Sequence, residues 1–218
     1  MKGKLIVIEA GDGSGKATQT KKLFEHLTSE NYKVKKISFP DYESPSSSLI
    51  KMYLKGDFGS HADDVDAYAA STFYAVDRYA SYRMNWKKFL DAGEIILADR
   101  YVTSNMVHQA VKISEKIERE KFLNWLDDFE YIKLKLPRPD CVIFLDMPPE
   151  ISEKLIAERK RIDIHEKDFD YLRRCYFSYK ELAKKFNWIT IKCNDGDNPR
   201  DIEKIHEDIF KAISEVLK

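Results

Sequence analysis

A run of apolar residues that breaks at a glycine-rich turn and resumes as a helix constrains this chain more than any other stretch. Residues 4–20 read KLIVIEAGDGSGKATQT. Residues 5–8 predict a buried parallel strand. The turn Gly11-Asp12-Gly13-Ser14-Gly15 follows, then Lys16 and a helical stretch. Strand, glycine-rich loop and helix in that order are the setting of a phosphate-binding P-loop. Glycines let backbone N–H groups turn inward around an anion without Cβ clashes. The helix N-terminus aims its dipole at the same anion, and Lys16 would reach the outer phosphates. Measured against G-x-x-x-x-G-K-[ST], Ala10 replaces the first glycine and Ala17 replaces the Mg²⁺-binding hydroxyl, while Thr18 remains for an inner phosphate. A flexible turn with a chance lysine is the plain alternative; the position directly after a buried strand argues against it.

Length and charge narrow the rest. The chain has 218 residues, enough for a single α/β domain over 1–218 with a small inserted segment. Its 37 basic and 37 acidic residues cancel, whereas a nucleic-acid binder carries a basic excess, so no nucleic acid is expected as a partner. The cysteines Cys141, Cys175 and Cys193 are odd in number and widely spaced. That excludes a disulfide framework and a zinc motif. The sequence enters its first strand at once, and no apolar run nears the ~18 residues of a membrane span. A cytoplasmic protein without membrane contact is therefore expected.

Downstream, strand and helix patterns alternate. Residues 16–32 predict a helix with Thr20, Leu23, Phe24 and Leu27 on one face. Residues 34–39 predict a second strand, ending in Phe39-Pro40-Asp41-Tyr42. A short helix with Leu49, Met52 and Tyr53 runs to near Gly56. Residues 64–92 lack Gly and Pro and predict one long helix, apolar on more than one face, which should be buried and partly a subunit interface. Residues 95–98 predict a third strand with Asp99-Arg100 at its carboxyl end, the edge where open α/β sheets bind ligands. Helices are predicted near 103–112, 114–128 and 169–186, strands over 141–145 and 188–193, a turn over 194–199, and a last helix carrying Ile202, Ile205, Ile209 and Ile213. The class is α/β, a five-stranded parallel sheet with helices on both faces.

Asp99-Arg100 opposite a phosphate loop is the second chemical signal. A carboxylate there can hold Mg²⁺ directly or through water, and an arginine can clamp a phosphate bidentately. With IEAGDGSGKAT, FPDY, YAVDR, DRYVTSN, PDCVIFLDMPPE and a basic stretch before SYKELA in this order, the chain resembles the thymidylate kinase family nearly end to end. The resemblance implies a P-loop NTPase fold with a lid at about residues 157–168. It further implies transfer of the ATP γ-phosphoryl group to dTMP, Mg²⁺ as cofactor, and a homodimer.

Residue by residue, the resemblance implies that Gly11, Asp12, Gly13, Ser14, Gly15, Lys16, Ala17 and Thr18 bind the ATP phosphates, with Asp12 also approaching the sugar 3′-hydroxyl and the metal site. Glu9 matches the glutamate before the loop. Phe39, Pro40 and Tyr42 match the segment beside the monophosphate. Tyr74 takes the stacking position on thymine and Arg78 the base-reading position. Asp99 matches the metal-associated aspartate and Arg100 the phosphate clamp. Ser104 and Asn105 fall at base contacts. His108 stands where many relatives have a tyrosine whose bulk disfavours a ribose 2′-hydroxyl, and Gln109 matches a glutamine of some relatives. The family divides its catalytic arginine between loop and lid. Gly13 holds the loop position, so Arg159 or Arg161 would supply it, with Asp163 and Glu166 at the lid's acidic positions.

The residues support this physically. Tyr74 and Arg78 are spaced i, i+4 and share a helix face; an aromatic face stacks on a pyrimidine. Arginine only donates, which suits O4 of thymine or uracil and opposes the amino group of cytosine. Asn105 can accept from N3–H. Two other readings stand beside this one: a kinase for another pyrimidine nucleotide or a deoxynucleoside, raised by His108, and a nucleotide-binding regulator without turnover, raised by Ala10 and Ala17.

Overall fold

The computed structural model describes residues 3–157 and 168–217. Arg159, Arg161, Asp163 and Glu166 lie outside the described residues, as does most of the expected lid.

Five strands build the sheet: β1 (Lys4–Ala10), β2 (Val34–Ser38), β3 (Ile95–Asp99), β4 (Cys141–Asp146) and β5 (Ile189–Lys192). Their order is β2-β3-β1-β4-β5 and every pair is parallel. β1 lies in the centre, opposite β3 (Ile8 beside Asp99) and β4 (Glu9 beside Phe144). Side chains alternate across the sheet because strand geometry has period two. Leu5, Val7, Ile96, Ala98 and Phe144 enter one core, while Ile6, Ile8, Ile95, Leu97, Ile143 and Leu145 enter the other. Both faces are covered, so the inner strands β1, β3 and β4 read as nearly continuous apolar runs, while the edge strands β2 and β5 carry exposed polar residues.

Helices α1 (Lys16–Ser29) and α9 (Ile202–Ser214) cover one face through Leu23, Leu27, Ile205, Ile209 and Ile213. The other face takes α5 (Val102–His108), α6 (Lys116–Asp127) and α8 (Phe169–Lys185), with Val107, Phe122 and Tyr179 fully buried. α2 (Ser48–Lys55) and α3 (Ala67–Ser81) form an outer wall around Tyr53, Val65 and Ala70. α4 (Lys87–Asp91) and α7 (Pro149–Ala157) complete the helices among the described residues.

Several boundaries differ from the sequence expectation. The long helix begins at Ala67, not at 64, because the Asp66 carboxylate accepts from Tyr68 N (2.8 Å) and Ala69 N (3.3 Å), a helix N-cap. A π-helical turn, Tyr82–Trp86, then interrupts it before α4. Trp86 is fully buried, while Val76, Tyr79 and Met84 are exposed. On α2 the buried pair is Ile50 and Tyr53; Leu49 and Met52 face outward, because the wall packs on the Tyr53 side only. α1 stops at Ser29 rather than near Tyr32. The helix expected over 103–112 ends at His108 with a 3-10 turn, Ala110–Lys112, beyond it. α6 runs into a second π-helical turn, Asp128–Lys133. The turn at 194–199 is a small antiparallel hairpin. The three cysteines are free and buried, and no helix among the described residues is long and apolar enough to cross a membrane.

Lys112 ties the outer wall to the body of the protein. Its ammonium donates to Tyr53 Oη (3.0 Å) and to the Val65 carbonyl (2.9 Å). Burial lowers its pKa from 10.5 to about 8, against the opposing pull of Asp63 and Asp66. Between those two values the folded state has released a proton that the unfolded chain still holds. The contribution of Lys112 to stability should therefore rise with pH across that window and level off above it. Denaturant titrations from pH 8 to pH 10 should show the natural protein gaining stability relative to Lys112→Met as pH rises. The same slope in both would mean that Lys112 is solvated.

Candidate active site

The phosphate loop forms as its sequence requires. Gly13 and Gly15 both sit at φ +76°, a region that only glycine enters readily. Gly15 is the N-cap of α1 and makes no side-chain cap, and the first turn holds no acidic residue. The opening N–H groups of α1 are thus left for an anion. A Cβ on Gly15 would meet nothing within 4 Å, whereas one on Gly13 would strike Ser152 O and Ile156 of α7. Ser14 Oγ, in the same loop, is buried and has no partner among the described residues.

Lys16, the first residue of α1, points across to β3, where its ammonium is ion-paired with Asp99. Burial pulls the Lys16 pKa below the ordinary lysine value and Arg100 adds to this, while Asp99 opposes both. A cation held at low dielectric acts on an incoming phosphate more strongly than one in water.

Arg100 is the hub. It leaves β3 with φ +67°, an unfavourable backbone state for a residue with a side chain, at a place where strain marks functional sites. Nη2 donates to Asp12 Oδ1 (2.6 Å); Nη1 donates to Tyr179 Oη (2.9 Å), His108 Nε2 (3.1 Å) and Ser104 Oγ (3.3 Å). Burial alone would lower its pKa, but Tyr179, Asp12, Glu9 and Asp99 outweigh that and hold it well above the ordinary arginine value. Below it, Glu9 is fully buried. Its carboxylate accepts from Thr103 Oγ1 (2.5 Å), Ser104 Oγ (2.7 Å), Tyr179 Oη (3.0 Å) and Tyr101 N (3.2 Å). Burial first, and then Glu9, raises the Tyr179 pKa, so this phenol stays protonated and donates.

His108 is neutral in this network. Arginine can only donate, so Nε2 accepts from Arg100. Tyr171 Oη donates to the His108 carbonyl (2.9 Å), which leaves its oxygen to accept from Nδ1–H (3.3 Å).

A cleft opens above this hub at the carboxyl edge of the sheet. Asp12, Phe39, Pro40, Tyr42, Tyr74, Arg78, Arg100, Ser104, Asn105, His108 and Gln109 all line it, joined by Leu54 and Tyr101. Residues from four separate sequence motifs thus share one cavity. Gln109 Oε1 is buried there without a partner among the described residues. Tyr74 meets Tyr53 edge-on at 6.5 Å between ring centres. Asp77, absent from the sequence reading, positions the FPDY loop by accepting from Asp41 N (2.8 Å) and Ser46 Oγ (2.6 Å). Burial raises its pKa.

Arg78 is buried, and its guanidinium is bound edge-on by Glu130, which is fully buried in the π-helical turn after α6. Glu130 and Tyr179, like Asp77, carry no signal in the sequence that marks them as part of the site. Glu130 is 52 residues from Arg78, and no local motif joins them.

The model of the thymidylate kinase family matches residues 8–209. The chain belongs to the thymidylate kinase family. A thymidylate kinase from Caldicellulosiruptor saccharolyticus is 30% identical over 100% of this chain and 99% of its own length. The thymidylate kinase of Plasmodium falciparum is 29% identical over 99% and 91%. That of Mycobacterium tuberculosis is 30% identical over 82% and 85%. The family match spans the phosphate loop, the arginine hub and the cleft together, so the site lies within the part of the fold that the family shares.

Proposed function

We propose that the chain transfers the γ-phosphoryl group of ATP to dTMP, giving ADP and dTDP. One observation carries this reading: Asp12 of the phosphate loop and Arg100 are bonded to each other and line the same cleft. A donor phosphate on the loop and an acceptor phosphate in the cleft would therefore meet at one arginine. In the reaction an oxygen of the dTMP phosphate forms a bond to the γ-phosphorus while the bond to the bridging β,γ-oxygen breaks. The acceptor oxygen is already an anion, so no general base is needed. The residues contribute position and charge. The loop N–H groups and Lys16 hold the donor, and Arg100 holds the acceptor. The cleft wall excludes water, with Tyr74 against the base and Arg78 and Asn105 along its edge. Arg159 or Arg161 of the lid would add charge at the transferring group.

Mg²⁺ fits a minimal role here. Asp99 offers a hard carboxylate oxygen at the phosphate end, already beside Lys16, and no group of three metal-binding side chains exists among the described residues. Asp99 would hold the ion together with the ATP phosphates and water, the manner in which Mg²⁺ binds at such sites, and the ion would neutralise phosphate charge. A second copy of this chain is the occupant assigned to the exposed apolar face of α3 at Val76 and Tyr79, with the cytoplasm as the setting.

ADP release measured with dTMP, dUMP, UMP and dCMP in parallel tests the reading. Turnover with dTMP should exceed the others. ATP binding without turnover on any acceptor would sink it, and UMP turning over as fast as dUMP would mean that His108 does not exclude a ribose.

A further inference from the structure

We propose that Glu130 is a specificity-determining residue: it fixes Arg78 as a donor and Asn105 as an acceptor toward the base, and so selects thymine over cytosine. This rests on the acceptor-site reading above and names the residue that sets its polarity. Glu130 touches no part of the cleft directly; it acts through the two side chains that line it.

The hydrogen bonds fix both orientations. One carboxylate oxygen of Glu130 accepts from Arg78 Nε (2.7 Å) and the other from Arg78 Nη2. The second oxygen also accepts from Asn105 Nδ2 (3.1 Å), and that same nitrogen donates to the Ser71 carbonyl (3.2 Å). Two acceptors on one amide atom identify it as the NH₂ end. The reversed amide would set Oδ1 against a carboxylate and a carbonyl, acceptor to acceptor. Asn105 therefore has its Oδ1 left for a ligand, and Arg78, which only donates, has Nη1 left for one. An acceptor beside a donor matches N3–H and O4 of thymine. Cytosine presents N3 as an acceptor and an amino group as a donor, and N3 is then opposed by Oδ1 and the amino group by the guanidinium.

Only a carboxylate can hold this arrangement, because both of its oxygens accept. Glutamine at 130 would turn an NH₂ toward Arg78 or Asn105, donor to donor, and release the lock on the Asn105 amide. An ion pair that merely supports the fold would lose stability on that change but keep its base preference.

The test is kcat/KM for dTMP and for dCMP, with the KM for ATP, in the natural protein and in Glu130→Gln. The expected result is a fall of at least tenfold in the dTMP-to-dCMP ratio with the ATP KM unchanged. A folded Glu130→Gln with the natural ratio overturns the proposal. If that variant does not accumulate in folded form, Glu130→Asp, which keeps the charge but shortens the reach, should show the same fall, and an unchanged ratio there is equally fatal. A natural protein with no preference for dTMP over dCMP overturns the base-reading roles of Arg78 and Asn105, and the role of Glu130 with them.

Discussion

Replacing Lys16 by alanine is expected to cut kcat by about 10²–10³, the scale for losing one pre-organised electrostatic contact to a transition state, while the KM for dTMP barely moves. Lys16 opens α1, and its ammonium sits at the meeting point of the phosphate loop and β3, against Asp99. Burial has already stripped it of much of its water and lowered its pKa. Its charge is therefore available to a phosphoryl group without reorganisation when the reaction occurs. The cleft proposed to take dTMP is lined by other residues, which is why acceptor binding should survive. Steady-state kinetics with each substrate varied in turn would separate the two effects. A loss of kcat below tenfold would mean that residues 4–20 form a glycine turn rather than a donor site.

Arg78→Ala should raise the KM for dTMP at least tenfold and also destabilise the protein. The second effect follows from Glu130, whose fully buried carboxylate would lose its cation. Removing one partner of a buried pair costs about 3–5 kcal/mol, and in a domain of this size each kcal/mol moves Tm by roughly 2–4 °C. Burial alone would lower the Arg78 pKa, but Glu130 more than compensates, so the arginine remains charged and the pair intact. Arg78→Lys separates the contributions. It keeps a cation near Glu130 but lacks the planar fork, so Tm should recover more than the KM does. Calorimetric melting alongside KM for both substrates provides the readout. A lowered Tm with an unchanged KM for dTMP would make Arg78 a structural residue only.

The contrast between Arg78 and Glu130 illustrates what this sequence discloses. Strand positions were legible because a strand buried on both faces must be apolar without interruption, as residues 5–8 and 95–98 are. The cleft was legible because Asp12, Phe39, Pro40 and Arg100 fall just beyond strand ends, where the parallel topology must bring them together, and Tyr74 and Arg78 share one face of a helix. Glu130 was not, because it reaches the site from a π-helical turn, and nothing local distinguishes it from its acidic neighbours Asp127 and Asp128. Tyr179 reads as one more aromatic on the inner face of α8, and only its bonds to Arg100 and Glu9 reveal a second task. The start of α3 slipped for a simpler reason. Asp66 can be helical or can cap, and the burial of Val65 against Tyr53 decides for the cap.

The close contact at Gly13 limits what the phosphate loop can carry. On the proposed arrangement the lid, not the loop, provides the catalytic arginine. A Cβ at position 13 would lie 2.6 Å from the Ser152 carbonyl and 2.8 Å from Ile156 Cγ1, on a backbone at φ +76°. An arginine at position 13 would therefore need α7 to move away from the loop as well as a strained backbone. The same tight seat that shapes the loop around an anion leaves it no room for a charged side chain of its own.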